Sequence, residues 1–411
     1  MTTAVASQYY ETPTKKHGVF YHTNWSCYAR NYQVKDLLIS NMTDIVYAFF
    51  NIAADGTVSS GDTWADFQNP FIGNGVPPQN TWSSPSNDLG LFGQFQKLRK
   101  QGSNFNLALA IGGWTWSANF STAMSSAASR QNIVTSLTNI LKPWPELFNG
   151  ICIDWEYLSD DGVNYGNAGN GVSVQDATNF IQFLKLIREE MKGFRIYLAV
   201  TAAPENIKMP VESIHPLVDE FHVMTYDFHS SSFGDTITGH QTNLRPSSYG
   251  TYSVEEAVSV WLGYGIPSSK IFIGAALYGR GFANTDGLGK SCSGISPDMS
   301  WEPGVVDYKS LPLPGAVELW DPVARAGYSF DSVKRVVNSY DTVESVKEKC
   351  QFVFDNDLGG IICWETSADF PYENPKSLIK TIHDNLTNGS SELSSDKVLV
   401  KPTAPGKVFS P

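Results

Sequence analysis

Eight short apolar runs recur along this chain, at 18–23, 44–51, 106–113, 149–156, 194–201, 219–226, 270–277 and 359–364. Each has the length of a strand. Several segments between them (121–141, 175–193 and 252–264) carry apolar residues at three-to-four spacing, the period of a helix with one buried face. Strands alternating with helices imply a parallel sheet covered by helices, and eight repeats imply an α/β chain folded as a (β/α)8 TIM barrel. The interval between the seventh and eighth runs is too long for one helix. Its Gly- and Pro-rich turns, with Trp301, Trp320 and several tyrosines, predict a small α+β insertion there. The expected layout is a first barrel part at 17–278, the insertion at 279–345 and a last barrel part at 346–386. Residues 387–411, rich in Ser, Pro and Lys without periodicity, read as a polar tail or linker.

The fourth run carries the chemistry. Asn149-Gly-Ile-Cys-Ile-Asp-Trp-Glu-Tyr157 is apolar and ends in two carboxylates two positions apart. Side chains alternate along a strand, so Asp154 and Glu156 share a side, with anchor points about 6.5 Å apart. Carboxylates that close cannot both ionise freely, and one becomes a usable acid near neutral pH. In a barrel of this kind, catalytic side chains gather at the C-terminal ends of strands, where these two stand. A strand that merely ends in solvated acids is the plainer alternative.

Composition excludes several classes. A formal charge of −12 without long basic runs argues against a nucleic-acid or membrane-surface partner. No run approaches the length of a membrane span. Five cysteines (Cys27, Cys152, Cys292, Cys350 and Cys363) are few, odd in number and scattered, with neither a disulfide framework nor metal-ligand spacing. No metal and no cofactor is expected. Tyr and Trp, at 18 and 11 residues, include side chains able to stack on the apolar faces of sugar rings.

From about Gly18 to Asp369 the chain resembles the glycoside hydrolase family 18 chitinases. The family signature Asp-x-x-Asp-x-Asp-x-Glu is filled by Asn149, Cys152, Asp154 and Glu156. Further landmarks follow in order: Tyr21-His-Thr-Asn-Trp25, Tyr47-Ala-Phe49, Gly112-Gly-Trp114, Met224-Thr-Tyr-Asp227, Leu277-Tyr-Gly-Arg280 and Trp364. The resemblance implies hydrolysis of β-1,4 links between N-acetylglucosamine units of chitin or chitooligosaccharides, with retention and with help from the substrate. Glu156 would protonate the glycosidic oxygen, and the substrate's own acetamido oxygen would attack the anomeric carbon. Asp154 would accept a hydrogen bond from the acetamido N–H, and the Tyr226 hydroxyl would hold the acetamido oxygen. Trp364 would form the floor of the site, and Met224 and Asp227 would line the acetamido pocket. Trp114 and Trp25 would stack on sugars, and Tyr278 and Arg280 would reach the bound chain. Plainer structural alternatives are a barrel-core tryptophan for Trp364, packed rim aromatics for Trp114 and Trp25, and an ion pair with a cleft carboxylate for Arg280. Tyr21 and Phe49 are divided evenly between the site and the barrel core.

The chain departs from the family at three places. Cys152 replaces an Asp that shares a proton with the equivalent of Asp154. Ala110 replaces a supporting Ser, and Asn149 the first Asp of the signature. The three cluster and touch one device, and the loss of the second carboxylate together with its hydroxyl support reads as one coordinated loss. A buried thiol stays neutral near pH 7 and removes a like charge from beside Asp154, which should then ionise more readily and turn toward protonated Glu156. Past Asp227 the run Phe228-His-Ser-Ser-Ser-Phe233 lacks the Trp that many chitinases place there, so that stack is either absent or supplied by Phe233.

Two other readings share the fold. A catalytically weak or inactive lectin for chitin oligosaccharides is favoured by Cys152 and Ala110 and opposed by Glu156. An endoglycosidase acting on other glycans is opposed by the insertion. Chitin is met outside the cell, so the resemblance implies secretion, although the N-terminus lacks the basic start and apolar stretch of a signal peptide. Whether the chain acts as a monomer or in a larger assembly stays open.

Overall fold

The computed structural model describes residues 4–11, 16–70, 89–388 and 397–405. Parallel strands form at all eight apolar runs: β1 (His17–Thr23), β2 (Asp44–Ile52), β4 (Asn106–Gly112), β5 (Gly150–Asp154), β6 (Arg195–Thr201), β7 (Glu220–Met224), β8 (Ile271–Ala276) and β14 (Gly360–Trp364). Their order is β1-β14-β8-β7-β6-β5-β4-β2, and β1 also pairs with β2, which closes the barrel. The short β3 (Val58–Ser60) adds to β2 antiparallel. The expected TIM barrel is borne out. β5 shows why its strands read as unbroken apolar runs: all five residues are buried, as in a sheet covered on both faces.

Helices form in all three segments that carry the helical period: 121–141 divides into α2 (Phe120–Met124) and α3 (Ala127–Leu141), 175–193 holds α4 (Asp176–Glu190) and 252–264 holds α6 (Val254–Gly263), while α1 (Gly90–Lys100), α5 (Val211–Ile214), α7 (Val343–Asp355) and α8 (Leu378–Asn388) lie outside them. Their starts are encoded locally. The side chains of Ser126, Ser253 and Thr342 accept hydrogen bonds from the main-chain N–H of Ser129, Glu256 and Ser345, satisfying donors a helix start leaves orphaned. Between β8 and α7 the insertion is a five-stranded antiparallel sheet, ordered β10-β9-β13-β12-β11. Its strands are β9 (Tyr278–Phe282), β10 (Val305–Asp307), β11 (Val317–Asp321), β12 (Ala326–Asp331) and β13 (Val336–Ser339). All five cysteines are buried and unpaired.

By packing, the chain divides into two compact units. The first holds Met1–Glu11, Tyr21–Val200 and Asn206–Phe221. At the N-terminal ends of its strands, polar side chains interlock with the segment 4–11. Asn106 Nδ2 donates to Asp44 Oδ1 at 2.7 Å and to the Tyr10 carbonyl at 2.8 Å. Arg195 pairs with Glu220 at 2.8 Å and lies over the Tyr9 ring at 4.3 Å. Asn149 belongs to this cluster: its Oδ1 accepts from Leu107 N–H at 3.0 Å, and its Nδ2 donates to Asn106 Oδ1 at 2.8 Å. It therefore stands at the opposite end of β5 from Asp154. Its replacement of the family's Asp is separate from the Cys152 and Ala110 changes, which corrects the reading that all three touch one device.

The second unit holds Thr12–Phe20, Thr201–Glu205 and His222–Pro411. Lys349, on the inner face of α7, is a fully buried charge. The Lys349 ammonium donates to Asp341 Oδ2 at 2.7 Å, Thr242 Oγ1 at 2.6 Å and the Gly274 carbonyl at 2.9 Å. All three ammonium donors are thus satisfied. Burial pulls the Lys349 pKa below the usual lysine range, and the Asp341 charge opposes this. Of the expected tail, residues 389–396 and 406–411 lie outside the described residues. The stretch 397–405 is tied to α6 and α7: Asn356 Nδ2 donates to the Val398 carbonyl at 2.7 Å, and Ser259 Oγ to the Lys401 carbonyl at 2.6 Å.

Removing one partner of a buried pair leaves an uncompensated charge, at a cost of about 3–5 kcal/mol. Lys349→Met is expected to lose stability of that order in denaturant unfolding, and Lys349→Met with Asp341→Leu to recover much of it. Equal stability of wild type and the single variant would contradict this account.

Candidate active site

In the first unit the site is built where β4 and β5 end. Gly112 is the register partner of Asp154, and the Gly113 N–H donates to the Asp154 carbonyl at 2.8 Å. A Cβ at position 112 would stand 2.3 Å from that carbonyl oxygen, and its φ is +102°, so only glycine fits. The chain then turns outward and presents Trp114, 50% exposed. Three residues on, the buried Ser117 hydroxyl donates to the Gly113 carbonyl at 2.9 Å and accepts from the Glu156 N–H at 2.9 Å.

Alternation along β5 sorts the side chains as expected. Trp155 points away, stacked on Phe120 at 5.2 Å and edge-on to Phe180 at 5.9 Å. Cys152 and Asp154 face the other way. Ala110 is the register partner of Cys152, so those two departures do adjoin. The Tyr21 hydroxyl lies 3.4 Å from Cys152 Sγ. Tyr21 is itself buried, which places it in the barrel core under the carboxylates. Phe49 is also buried, against Trp25 at 6.4 Å, while Trp25 is 38% exposed.

Electrostatics follow from burial. Burial, and then the Asp154 charge, push the Cys152 thiol far above its ordinary range, so it stays neutral. Asp154 is only 4% exposed, and its Oδ1 has no hydrogen-bond partner among the described residues. Burial raises its pKa to about 7. Loss of the neighbouring carboxylate therefore does not return Asp154 to an ordinary acid, because desolvation still disfavours its anion. Glu156 is buried just beyond the strand end.

In the second unit Met224 closes β7, and Thr225, Tyr226 and Asp227 follow it out of the sheet. Tyr226 is half-buried, and its ring lies so close to β8 that a Cβ at Gly274 would stand 2.6 Å from it. Tyr226 meets Tyr278 edge-on at 6.3 Å. Asp227 Oδ1 accepts from the Tyr278 hydroxyl at 2.6 Å and from Arg280 Nε at 2.8 Å, so these three landmark residues form one cluster. The Arg280 guanidinium lies 5.0 Å from the ring of Phe233, which is 58% exposed. Trp364 ends β14, half-buried, its carbonyl accepting from Leu277 N–H at 2.8 Å.

Two contributors were not singled out from the sequence. Ser117 could have been noticed as a small hydroxyl three residues after the Gly-Gly-Trp turn. Asn170 donates through Nδ2 to the Glu156 carbonyl at 2.8 Å and carried no signal within its polar loop.

Comparison with known proteins places this arrangement. The model of the glycosyl hydrolases family 18 matches residues 17–369. Endochitinase 1 of Metarhizium robertsii is 36% identical over 398 residues, covering 92% of this chain and 88% of that protein. Chitinase 1 of Aphanocladium album is 35% identical over 387 residues, covering 90% and 85%. Among solved structures, the catalytic domain of psychrophilic chitinase B from Arthrobacter TAD20 superposes with a TM-score of 0.82 at 26% identity, covering 95% of this chain and 98% of that one. The Ostrinia furnacalis Group IV chitinase in complex with allosamidin gives 0.76 at 28% identity, covering 92% and 100%. With the family model spanning most of its length and its carboxylates at the end of the fourth barrel strand, the chain belongs to the glycosyl hydrolases of family 18.

Proposed function

We propose that this family 18 glycosidase is a chitinase that hydrolyses β-1,4 links between N-acetylglucosamine units with Glu156 as proton donor. The observation that carries the reading is the pair at the end of β5: buried Glu156 two residues past a buried Asp154 whose Oδ1 has no donor among the described residues. An anionic Asp154 accepts a hydrogen bond from the substrate's acetamido N–H. That contact satisfies the buried acceptor and favours its charged form when substrate is bound. Glu156 protonates the leaving oxygen, and the acetamido carbonyl oxygen attacks the anomeric carbon to give a cyclic oxazolinium ion. The Tyr226 hydroxyl donates to that oxygen. Water activated by Glu156, now acting as base, opens the ring with retained configuration.

Aromatic surface supplies the sugar contacts. Trp114 and Trp25 are exposed enough to stack on sugar faces, and Trp364 serves as the floor. Met224 lines the acetamido pocket. Asp227, paired with Arg280 and Tyr278, acts through a fixed cluster rather than as a second acid. Phe233, resting on Arg280, stands in for the missing Trp. Tyr21 and Phe49 act from beneath, Tyr21 by its contact with Cys152. Export to meet an extracellular polymer is part of this proposal; no helix among the described residues is long and apolar enough to cross a membrane.

Three measurements test the reading. Glu156→Gln is expected to slow release of a fluorescent leaving group from chitobioside and chitotrioside by about 10²–10⁴-fold while oligosaccharide binding persists. A wild type that binds oligosaccharide without turnover would instead establish a lectin. The second concerns Asp154, whose folded pKa of about 7 lies above an unfolded value near 3.9. The native state then holds more protons than the unfolded state between these values, so stability falls as pH rises through that window. Asp154→Asn is expected to remove the slope, its melting temperature gaining on wild type from pH 4 to 7; a constant difference would refute the assignment. Third, Cys152→Asp with Ala110→Ser restores a carboxylate beside Asp154, so the pair should titrate in two steps. Faster turnover and a displaced pH profile are expected, and an unchanged rate and profile would show that these two positions do not govern proton storage.

A further inference from the structure

The main chain of Glu156 leaves the sheet, because β5 ends at Asp154. Buried peptide groups outside a ladder need other partners. Here both come from side chains on separate loops. The Glu156 N–H donates to Ser117 Oγ at 2.9 Å, and the Glu156 carbonyl accepts from Asn170 Nδ2 at 2.8 Å. We propose that Ser117 and Asn170 are positioning residues for the proton donor, a two-sided clamp on the peptide groups that flank its Cα. The proposal rests on the reading of Glu156 as the donor and deepens it.

Each half of the clamp is itself held. Ser117 is fully buried and spends its own hydrogen on the Gly113 carbonyl at 2.9 Å, which leaves its lone pairs to face Glu156. Asn170 can present only its NH2 to a carbonyl, since the flipped amide would set two acceptors against each other. Its loop is fastened beside the same turn: Gly171 N–H donates to the Ala118 carbonyl at 3.0 Å. The loop also approaches Glu156 too closely for a side chain. A Cβ at Gly166 would stand 1.9 Å from the Glu156 carbonyl oxygen, so glycine is required there. The polar loop after β5 thus acts on the donor from its main-chain side.

The consequence is geometric. The Glu156 carboxyl hangs from its Cα by a short flexible stem, so its reach depends on where the Cα and the two peptide planes are fixed. Rotating either plane breaks one of the two hydrogen bonds. Misplacement of a reacting group by about 1 Å can cost about 10²-fold in rate. Such a loss falls on the chemical step and not on uniform substrate binding.

The test compares Asn170→Ala, Asn170→Asp, Ser117→Ala and Ser117→Thr with wild type. Turnover of a fluorogenic chitotrioside across pH is measured beside hydrogen exchange in the peptide spanning 154–158. Asn170→Asp keeps the shape but opposes an acceptor to the carbonyl, so it should be the worst of the Asn170 pair. We expect kcat to fall about 10- to 100-fold with KM within about twofold. Exchange at the Glu156 amide should quicken about tenfold or more in Ser117→Ala, and Ser117→Thr, which keeps the hydroxyl, should return toward wild type. If kcat stays within about twofold in all variants of an active enzyme, or only KM rises, the clamp is overturned and the loop is a wall of the substrate cleft. A wild type without turnover would overturn Glu156 as donor instead. Exchange alone would then judge the clamp, and unchanged exchange would refute it.

Discussion

A single backbone contact sets the geometry of the first unit: the end of β4 lies against the Asp154 carbonyl where a side chain at position 112 would otherwise be. Parallel strands normally keep about 4.8 Å apart and leave room for Cβ atoms. Giving up that room lets the Gly113 N–H capture the carbonyl, and the turn that results aims Trp114 outward and Ser117 inward. Asp154, Glu156 and one exposed aromatic are therefore referenced to the same few main-chain atoms. The strand end acts as a datum for the chemistry.

The second unit solves a similar problem with charge. Thr225, immediately before Tyr226, accepts the Gly274 N–H on its hydroxyl at 2.6 Å, and its carbonyl accepts from Thr242 Oγ1 at 2.8 Å. Thr242 and the Gly274 carbonyl in turn receive the Lys349 ammonium. A buried cation thus braces the residue next to Tyr226 and the strand under its ring. Hydrophobic packing could fill the same volume at lower desolvation cost. What the network adds is direction, because each hydrogen bond fixes an angle as well as a distance.

How much of this was legible depended on which atoms carry the information. The eight strands were visible because a parallel sheet buried on both faces forces continuous apolar runs, as in β5. Asp154 and Glu156 were visible because period two places their side chains together, and the Gly-Gly-Trp and Met-Thr-Tyr-Asp landmarks marked the neighbouring strand ends. Ser117 and Asn170 were hidden because they act on peptide groups, which every residue has. Lys349 left a faint trace, a lone charge among Val346, Cys350 and Val353 on the inner face of α7. Asn149 was misassigned because it was grouped with its neighbours through the signature, although five residues along a strand separate it from Asp154 by the strand's whole length. What counting charges could not show is the desolvation of Asp154: removal of a like-charged neighbour favours its anion, while burial still holds its pKa up at about 7.

The five buried, unpaired thiols carry a consequence of a different kind. No covalent cross-link contributes to the fold, and burial holds Cys152, Cys350 and Cys363 well above the range in which thiolates form. Thiolates are the species that attack glutathione disulfide and react with oxidants. Burial therefore leaves these three thiols poor partners in thiol–disulfide exchange while the molecule stays folded. The native fold thus requires no disulfide, so neither a reducing nor an oxidising compartment is demanded by its covalent structure.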